Sequence, residues 1–193
     1  MKKIRAICFD LDGVYFTKHK KAFEDVLCKK TDDELVKNFL YKSEEMRDLC
    51  LGHLTEKQFF DRAKTKLIEQ TLEFSSLRIK GYRVDDAVHS LISLRKSYLI
   101  CSCTNNNGIR LDALVKKFNL DKVFDHITSS HRVHFFKPSV EIFASLLSDL
   151  CEGAELVYAD DNPERLTAKN LIKTFLYKDI EYKNDLKESG VQR

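Results

Sequence analysis

Apolar and polar positions follow two different rhythms along this chain. From about residue 84 onward, short apolar runs alternate with apolar positions at helical intervals. Val84, Ala87, Val88, Leu91 and Ile92 recur every three or four residues, as do Leu111, Leu114, Val115 and Phe118, then Val140, Phe143, Ala144 and Leu147. That spacing places each set on one face of a helix. Between them lie apolar runs of strand length at 98–103, 126–130, 156–159 and 174–177, and a further one at 4–9 opens the chain. Asn162-Pro163 reads as the N-cap and first residue of another helix. Strands alternating with helices predict an α/β fold of Rossmann-like type, a parallel sheet covered by helices on both faces.

Residues 16–81 are different. Phe23, Val26 and Leu27, then Leu35, Val36, Phe39 and Leu40, then Phe59, Phe60, Ala63 and Leu67 all have helical spacing, with no clear strand among them. Asp32 or Asp33 and Thr55 read as helix N-caps. Thr55-Glu56-Lys57-Gln58 has Gln three residues after Thr, the capping-box pattern. The expected organisation is a core formed by 1–15 and 82–193, interrupted by an all-helical insertion at 16–81. Lys18, Lys20, Lys21, Lys29, Lys30, Lys37 and Lys42 read as its solvated face.

Composition narrows the class without naming a reaction. The chain has 193 residues, enough for one domain and a modest insertion, with 43% hydrophobic and 33% charged residues. A net charge of +3 is too small to argue for nucleic acid. The first apolar run meets Asp10 too early for a signal peptide, and no segment has the length of a membrane span. Six cysteines stand at 8, 28, 50, 101, 103 and 151. Cys8, Cys101 and Cys103 fall in strand-like runs, where cysteine behaves as a small hydrophobe. Cys101 and Cys103 share a strand face, but no second pair accompanies them as a zinc or redox site would require. A cytoplasmic protein without a disulfide framework is expected.

The chemistry lies where apolar runs end. Asp10-Leu11-Asp12-Gly13-Val14 follows the first run and sets two carboxylates at i and i+2. Buried carboxylates are costly unless paired or bound to a cation, although Asp and Gly are also ordinary turn residues. At the C-terminal end of a parallel strand the pair would face the crevice where open α/β sheets bind ligands. Three more polar clusters follow strand-like runs. Thr104-Asn105-Asn106-Asn107-Gly108 offers a hydroxyl and backbone N–H groups suited to an anion, though a capped turn explains it equally well. Lys137-Pro138 leads into the helix carrying Val140, and alone reads as surface. Asp160-Asp161-Asn162 sets adjacent carboxylates at a strand end, where one of them also suits an N-cap.

In order and placement these four segments resemble the motifs of the haloacid dehalogenase superfamily of phosphohydrolases, over nearly the whole chain. The helical insertion looks like that family's small helical cap, of the C1 type. Within it, Leu51-Gly52-His53-Leu54-Thr55-Glu56-Lys57-Gln58-Phe59-Phe60 is similar to a stretch in the branch that includes phosphatases of glucose 1-phosphate. The resemblance implies a hydrolase of phosphate monoesters acting on a small phosphorylated metabolite. Asp10 would be the nucleophile and Asp12 the general acid and then base. Lys137 would balance charge on Asp10 and the phosphoryl oxygens, and Thr104 and the Asn105 N–H would hold those oxygens. The metal would be Mg²⁺, which suits an all-oxygen site, on Asp10, the Asp12 carbonyl and Asp161, with Asp160 acting through water or as a weaker ligand.

Two departures stand out. Arg165 takes a position where many relatives carry Asn or Asp in support of the metal, and Val14 replaces a common Thr. A phosphoglucomutase-like phosphotransferase uses the same carboxylates, and a binding protein with a vestigial site shares the scaffold. A dehalogenase would lack the second acid. Tyr41, Lys42, Arg47 and His53 are candidates, by residue type alone, for reading the leaving group. Neither membrane nor nucleic acid is an expected partner, and the sequence leaves oligomeric state open.

Overall fold

The computed structural model describes residues 5–17, 38–39, 42–67, 79, 82–150, 155–167 and 172–177. A five-stranded sheet forms the centre. Its strands are β1 (Arg5–Phe9), β4 (Leu99–Thr104), β5 (His126–Ser129), β6 (Glu155–Asp160) and β7 (Lys173–Leu176), in the order β5-β4-β1-β6-β7 and all parallel. The order reverses at β1, which pairs with β4 on one side and β6 on the other. Such a reversal leaves a crevice beyond the strands' carboxyl ends.

The period of two along each strand sorts the core into two layers. Phe9, Ile100 and Ala159 face one side and pack with Leu111 and Leu114 of helix α4 (Gly108–Phe118). Ala6, Cys8, Cys101, Cys103, Leu156 and Tyr158 face the other, against Ile142, Phe143 and Leu146 of helix α7 (Val140–Leu150). Each fully buried side chain of this kind contributes about 1.5–3 kcal/mol. Burial pushes the Cys101 and Cys103 thiols up to about 12, in keeping with cysteine used here as an apolar filler. Helix α4 is capped by Asn107, whose side-chain oxygen accepts from the Arg110 N–H at 2.9 Å. Such a cap stabilises by about 1 kcal/mol.

The segment between the first strand and residue 82 is not wholly helical. Phe16–Thr17 forms a short strand, β2, paired antiparallel with β3 (Arg83–Val84). The expectation of an all-helical insertion from residue 16 is corrected there, and Val84, read as helical, is in a strand. Two residues are too few to show a period, so neither strand had a signal. Between them the described residues hold helix α1 (Glu44–Cys50) and helix α2 (Glu56–Leu67). Phe39, Met46, Leu49, Phe59 and Ala63 pack together between these helices. The Thr55 capping box forms as read: Gln58 Oε1 accepts from the Thr55 N–H at 2.9 Å, and Thr55 Oγ1 accepts from the Gln58 N–H at 3.3 Å. The apolar sets at 23–27 and 35–36, Leu40, and the caps proposed at Asp32 or Asp33 lie outside the described residues.

Beyond β3, helix α3 (Asp86–Ser90) continues as a 3₁₀ turn, Leu91–Lys96. Helix α5 (Leu120–Val123) leads into β5, and helix α6 (Ser130–Val133) follows it. The helix expected after Asn162 is a single 3₁₀ turn, Pro163–Leu166, with Asn162 Oδ1 accepting from the Glu164 N–H at 2.9 Å. No helix among the described residues is long and apolar enough to cross a membrane.

Candidate active site

The end of β1 meets the end of β6. Their register pairs Phe9 with Ala159, and the Asp10 N–H donates to the Ala159 carbonyl at 2.9 Å. Asp10 and Asp160 therefore emerge side by side, both buried. Between them sits the Lys137 ammonium, 4% exposed as a residue, at 2.9 Å from Asp10 Oδ1 and 2.9 Å from Asp160 Oδ2. It also donates to the Tyr158 hydroxyl at 2.6 Å, and that hydroxyl donates to Asp160. Tyr158 stands two residues before Asp160, hence on the same strand face.

Asn105 fixes this lysine through its main chain. Its Oδ1 accepts from the Lys137 N–H at 2.8 Å and its Nδ2 donates to the Lys137 carbonyl at 3.3 Å. Thr104, the last residue of β4, is buried, and its Oγ1 has no hydrogen-bond partner among the described residues. A buried hydroxyl left in that state is costly unless a ligand meets it.

A second cation reaches Asp10. Arg165 NH1 lies 3.0 Å from Asp10 Oδ2 and 3.9 Å from Asp160 Oδ1. The departure noted in the sequence thus places a guanidinium, about a third exposed, directly on the first carboxylate. Both oxygens of Asp10 are engaged, Oδ1 also accepting from the Leu11 N–H at 2.7 Å.

Charge here is finely opposed. Burial raises the Asp10 carboxyl above its ordinary value, against the pull of Lys137, and Asp160 and Asp12 add to the rise. Asp160 is held below its ordinary value: burial works against ionisation, but Lys137 and the Tyr158 hydroxyl outweigh it. Asp161 is raised to about 6, by partial burial first and then by the charges of Asp10 and Asp160. Burial opposes the charge on Lys137, yet Asp10 and Asp160 keep its pKa above the ordinary value.

Among the described residues, one group of acidic side chains has the spacing to hold a metal ion. One oxygen from each of Asp10, Asp160 and Asp161 lies within 4.8 Å of the others. The donors are all oxygen, which suits a hard divalent cation. Gly13, at φ +87°, leaves room for this group, since a Cβ built there would lie 2.1 Å from Asp161 Oδ2. The Asp12 carboxylate is not part of it. Its Oδ1 instead accepts from the Tyr82 hydroxyl at 2.9 Å and from Arg110 NH2 at 2.7 Å.

All seven site residues expected from the sequence thus gather at the carboxyl ends of β1, β4 and β6. Tyr82, Arg110 and Tyr158 were not anticipated. Tyr158 alone had a usable signal, its i, i+2 relation to Asp160. Of the four candidates for reading a leaving group, Tyr41 lies outside the described residues and Lys42 is exposed. Arg47 reaches over the Phe136 ring at 6.0 Å, and His53 stacks on His134 with ring centroids 5.8 Å apart.

The family profile of haloacid dehalogenase-like hydrolases matches residues 4–168. The chain belongs to this family. No curated protein matches it in sequence. Among solved structures, it is similar to a predicted hydrolase of the family from Porphyromonas gingivalis, with 22% identity and a TM-score of 0.74, covering 98% of this chain and 99% of that one. A family enzyme from Bacteroides thetaiotaomicron, solved as a magnesium complex, is 18% identical with a TM-score of 0.76 over 95% of this chain and 99% of that one. L-2-haloacid dehalogenase from Xanthobacter autotrophicus, with chloropropionic acid covalently bound, is 17% identical with a TM-score of 0.62 over 97% of this chain and 84% of that one. These likenesses establish the shared fold of this haloacid dehalogenase-like hydrolase.

Proposed function

We propose that this hydrolase is a Mg²⁺-dependent phosphatase that cleaves a small phosphorylated metabolite through an aspartyl phosphate on Asp10. The observation that carries the reading is the convergence of Asp10, Lys137 and the unpartnered Thr104 hydroxyl beside a three-carboxylate oxygen site. A mutant of the Bacteroides thetaiotaomicron enzyme is recorded in complex with magnesium and inorganic phosphate, which lends support.

In this reading the Asp10 carboxylate attacks phosphorus and the bond to the leaving oxygen breaks. Asp12 gives a proton to the departing alkoxide. Asp12 then takes a proton from a water that attacks the phosphoryl group, which releases phosphate and restores Asp10. Thr104 Oγ1 and the Asn105 N–H hold the phosphoryl oxygens, and Lys137 offsets their charge. Asp10 and Asp161, with the Asp12 carbonyl, would hold Mg²⁺, and Asp160 would support it. When bound, the ion would neutralise the crowded negative charge of carboxylates and phosphate. The retained Asp12 favours phosphate esters over haloacids, because breaking a carbon–halogen bond needs no proton on the leaving group.

The finer reading follows the sequence. Residues 1–15 and 82–193 form the catalytic core, and residues 16–81, apart from the short strand at Phe16–Thr17, a C1-type helical cap that restricts access to small esters, in the cytoplasm. The stretch at 51–60 favours a sugar phosphate of the glucose 1-phosphate kind. The test is phosphate release from a panel of phosphorylated metabolites with Mg²⁺ present and after exhaustive chelation. Release should require the metal; undiminished release after chelation would remove it from the mechanism.

Arg165 leads to a second expectation. The positive charge of Arg165 NH1 at Asp10 Oδ2 opposes a cation at the same carboxylate. Arg165→Asn removes a positive charge about 3–4 Å from the ligand oxygens and should lower the Mg²⁺ concentration needed for half-maximal activity by about fivefold or more. Metal titrations of both proteins check this, and an unchanged or higher requirement contradicts it.

A further inference from the structure

We infer that Arg110 and Tyr82 are positioning residues for Asp12, holding one of its oxygens so that the other serves as the proton-transferring atom. The inference rests on the proposed phosphatase reaction and deepens it.

Asp12 lies in a tight loop closed by backbone hydrogen bonds. The Tyr15 N–H donates to the Asp10 carbonyl at 3.2 Å, the Phe16 N–H to the Leu11 carbonyl at 2.7 Å, and the Gly13 N–H to the Phe16 carbonyl at 2.9 Å. The loop fixes the Asp12 main chain and leaves the side chain to choose its direction. That choice is made from outside the loop. Tyr82 OH and Arg110 NH2 both converge on Oδ1, and neither takes Oδ2.

The two donors come from separate parts of the fold, and each is fixed in its own right. Tyr82 is buried, packs edge-on against Phe16 with centroids 5.1 Å apart, and immediately precedes β3, where the chain returns to the sheet. Arg110 stands in the first turn of α4, its N–H taken by the Asn107 cap. Its guanidinium lies 5.3 Å over the Tyr82 ring, so donor braces donor. The Arg110 and Asp12 side chains are only 16% and 18% exposed, too covered for a loose surface pair. An acid placed this way delivers its proton from a set direction, and misplacement by even 1 Å costs rate rather than affinity.

This geometry separates positioning from binding. In the step that expels the leaving group, a residue that orients the acid matters when the leaving oxygen needs a proton and matters little when it does not. The experiment compares kcat/KM, which reports the step that expels the leaving group and excludes the later hydrolysis shared by all esters, for wild type, Arg110→Ala, Arg110→Lys, Tyr82→Phe and Asp12→Asn on 2-glycerophosphate, a poor leaving group, and p-nitrophenyl phosphate, a good one. Arg110→Ala should lower kcat/KM on the alkyl ester by about tenfold or more and on the aryl ester by less than about threefold, since acid catalysis is itself worth about 10²–10⁴-fold. Tyr82→Phe keeps the ring and should show a smaller loss of the same selectivity, and Arg110→Lys should recover part of it. In the Asp12→Asn background, Arg110→Ala should add little, because the two act as one unit.

Equal losses of kcat/KM on both esters, or full additivity with Asp12→Asn, would each overturn the inference while leaving the phosphatase reading in place. If wild type releases phosphate from neither these esters nor the metabolite panel, the reaction itself falls and the inference with it.

Discussion

Asp10→Asn is expected to lower turnover by about three orders of magnitude or more, as loss of a nucleophile does in other covalent mechanisms, and to leave the chain folded. The substitution keeps the shape of the side chain and removes its charge. Asn retains one oxygen to accept from the Leu11 N–H, so the loop after β1 keeps that hydrogen bond. Lys137 keeps Asp160 as a partner at 2.9 Å, so its ammonium is not stranded. The variant should therefore separate chemistry from folding. Single-turnover phosphate release measures the first and near-ultraviolet circular dichroism the second. A folded variant with near-normal turnover would show that Asp10 does not attack.

Lys137→Ala should be the most damaging change to stability in the site. Its ammonium stands between two buried carboxylates, and removing one partner of a buried pair costs about 3–5 kcal/mol, because the remaining charge is left uncompensated. For a chain of this size that corresponds to a fall in Tm of roughly 10 °C. The pH dependence has a definite sign. Lys137 titrates above its ordinary value in the folded state, so its contribution is complete through the neutral range and fades only as pH rises past about 10.5. In the variant, Asp10, Asp160 and Asp161 repel one another with Arg165 as the remaining cation beside them. Protonation relieves them, and loss of Lys137 removes the pull that holds down the Asp10 and Asp160 carboxyls. The gap in Tm between variant and wild type should narrow as pH falls from 7 to 5. A gap that widened would place the lost stability elsewhere. Thermal melts across that range, with circular dichroism as the readout, settle the point.

What the sequence disclosed depends on how physical constraint is written into it. The buried strands at 98–103 and 156–159 announce themselves because apolar runs stop abruptly at Thr104 and Asp160, and the parallel sheet then carries all such ends to one edge. Asp10, Thr104, Asp160 and Asp161 of the candidate site were legible for that reason, whereas Lys137 alone read as surface and entered through the family resemblance. Arg110 and Tyr82 were not, because each looks like an ordinary residue of its own element: an arginine in a helix and an aromatic before a strand. Their role arises only when α4 and β3 are packed around the loop after β1, a relation between residues far apart in sequence. Arg165 was visible only as a departure. Its contact with Asp10 required the 3₁₀ turn at Pro163–Leu166, where a longer helix was expected.

Part of the joint between α1 and the core is made through main-chain atoms of the helical segment. Ser130 Oγ donates to the Cys50 carbonyl at 2.7 Å, and His134 Nδ1 lies 2.6 Å from the Leu51 carbonyl oxygen. Beside them Gly52, at φ +70°, brings its backbone so near the His131 carbonyl that a Cβ would approach to 2.2 Å. Carbonyl oxygens are the same in every residue. A seam built on them constrains the sequence of the helical segment at Gly52 and leaves the side chains of Cys50 and Leu51 outside its hydrogen bonds. The segment from α1 through α2 can thus change its other side chains while Gly52 keeps it seated on the same part of the core.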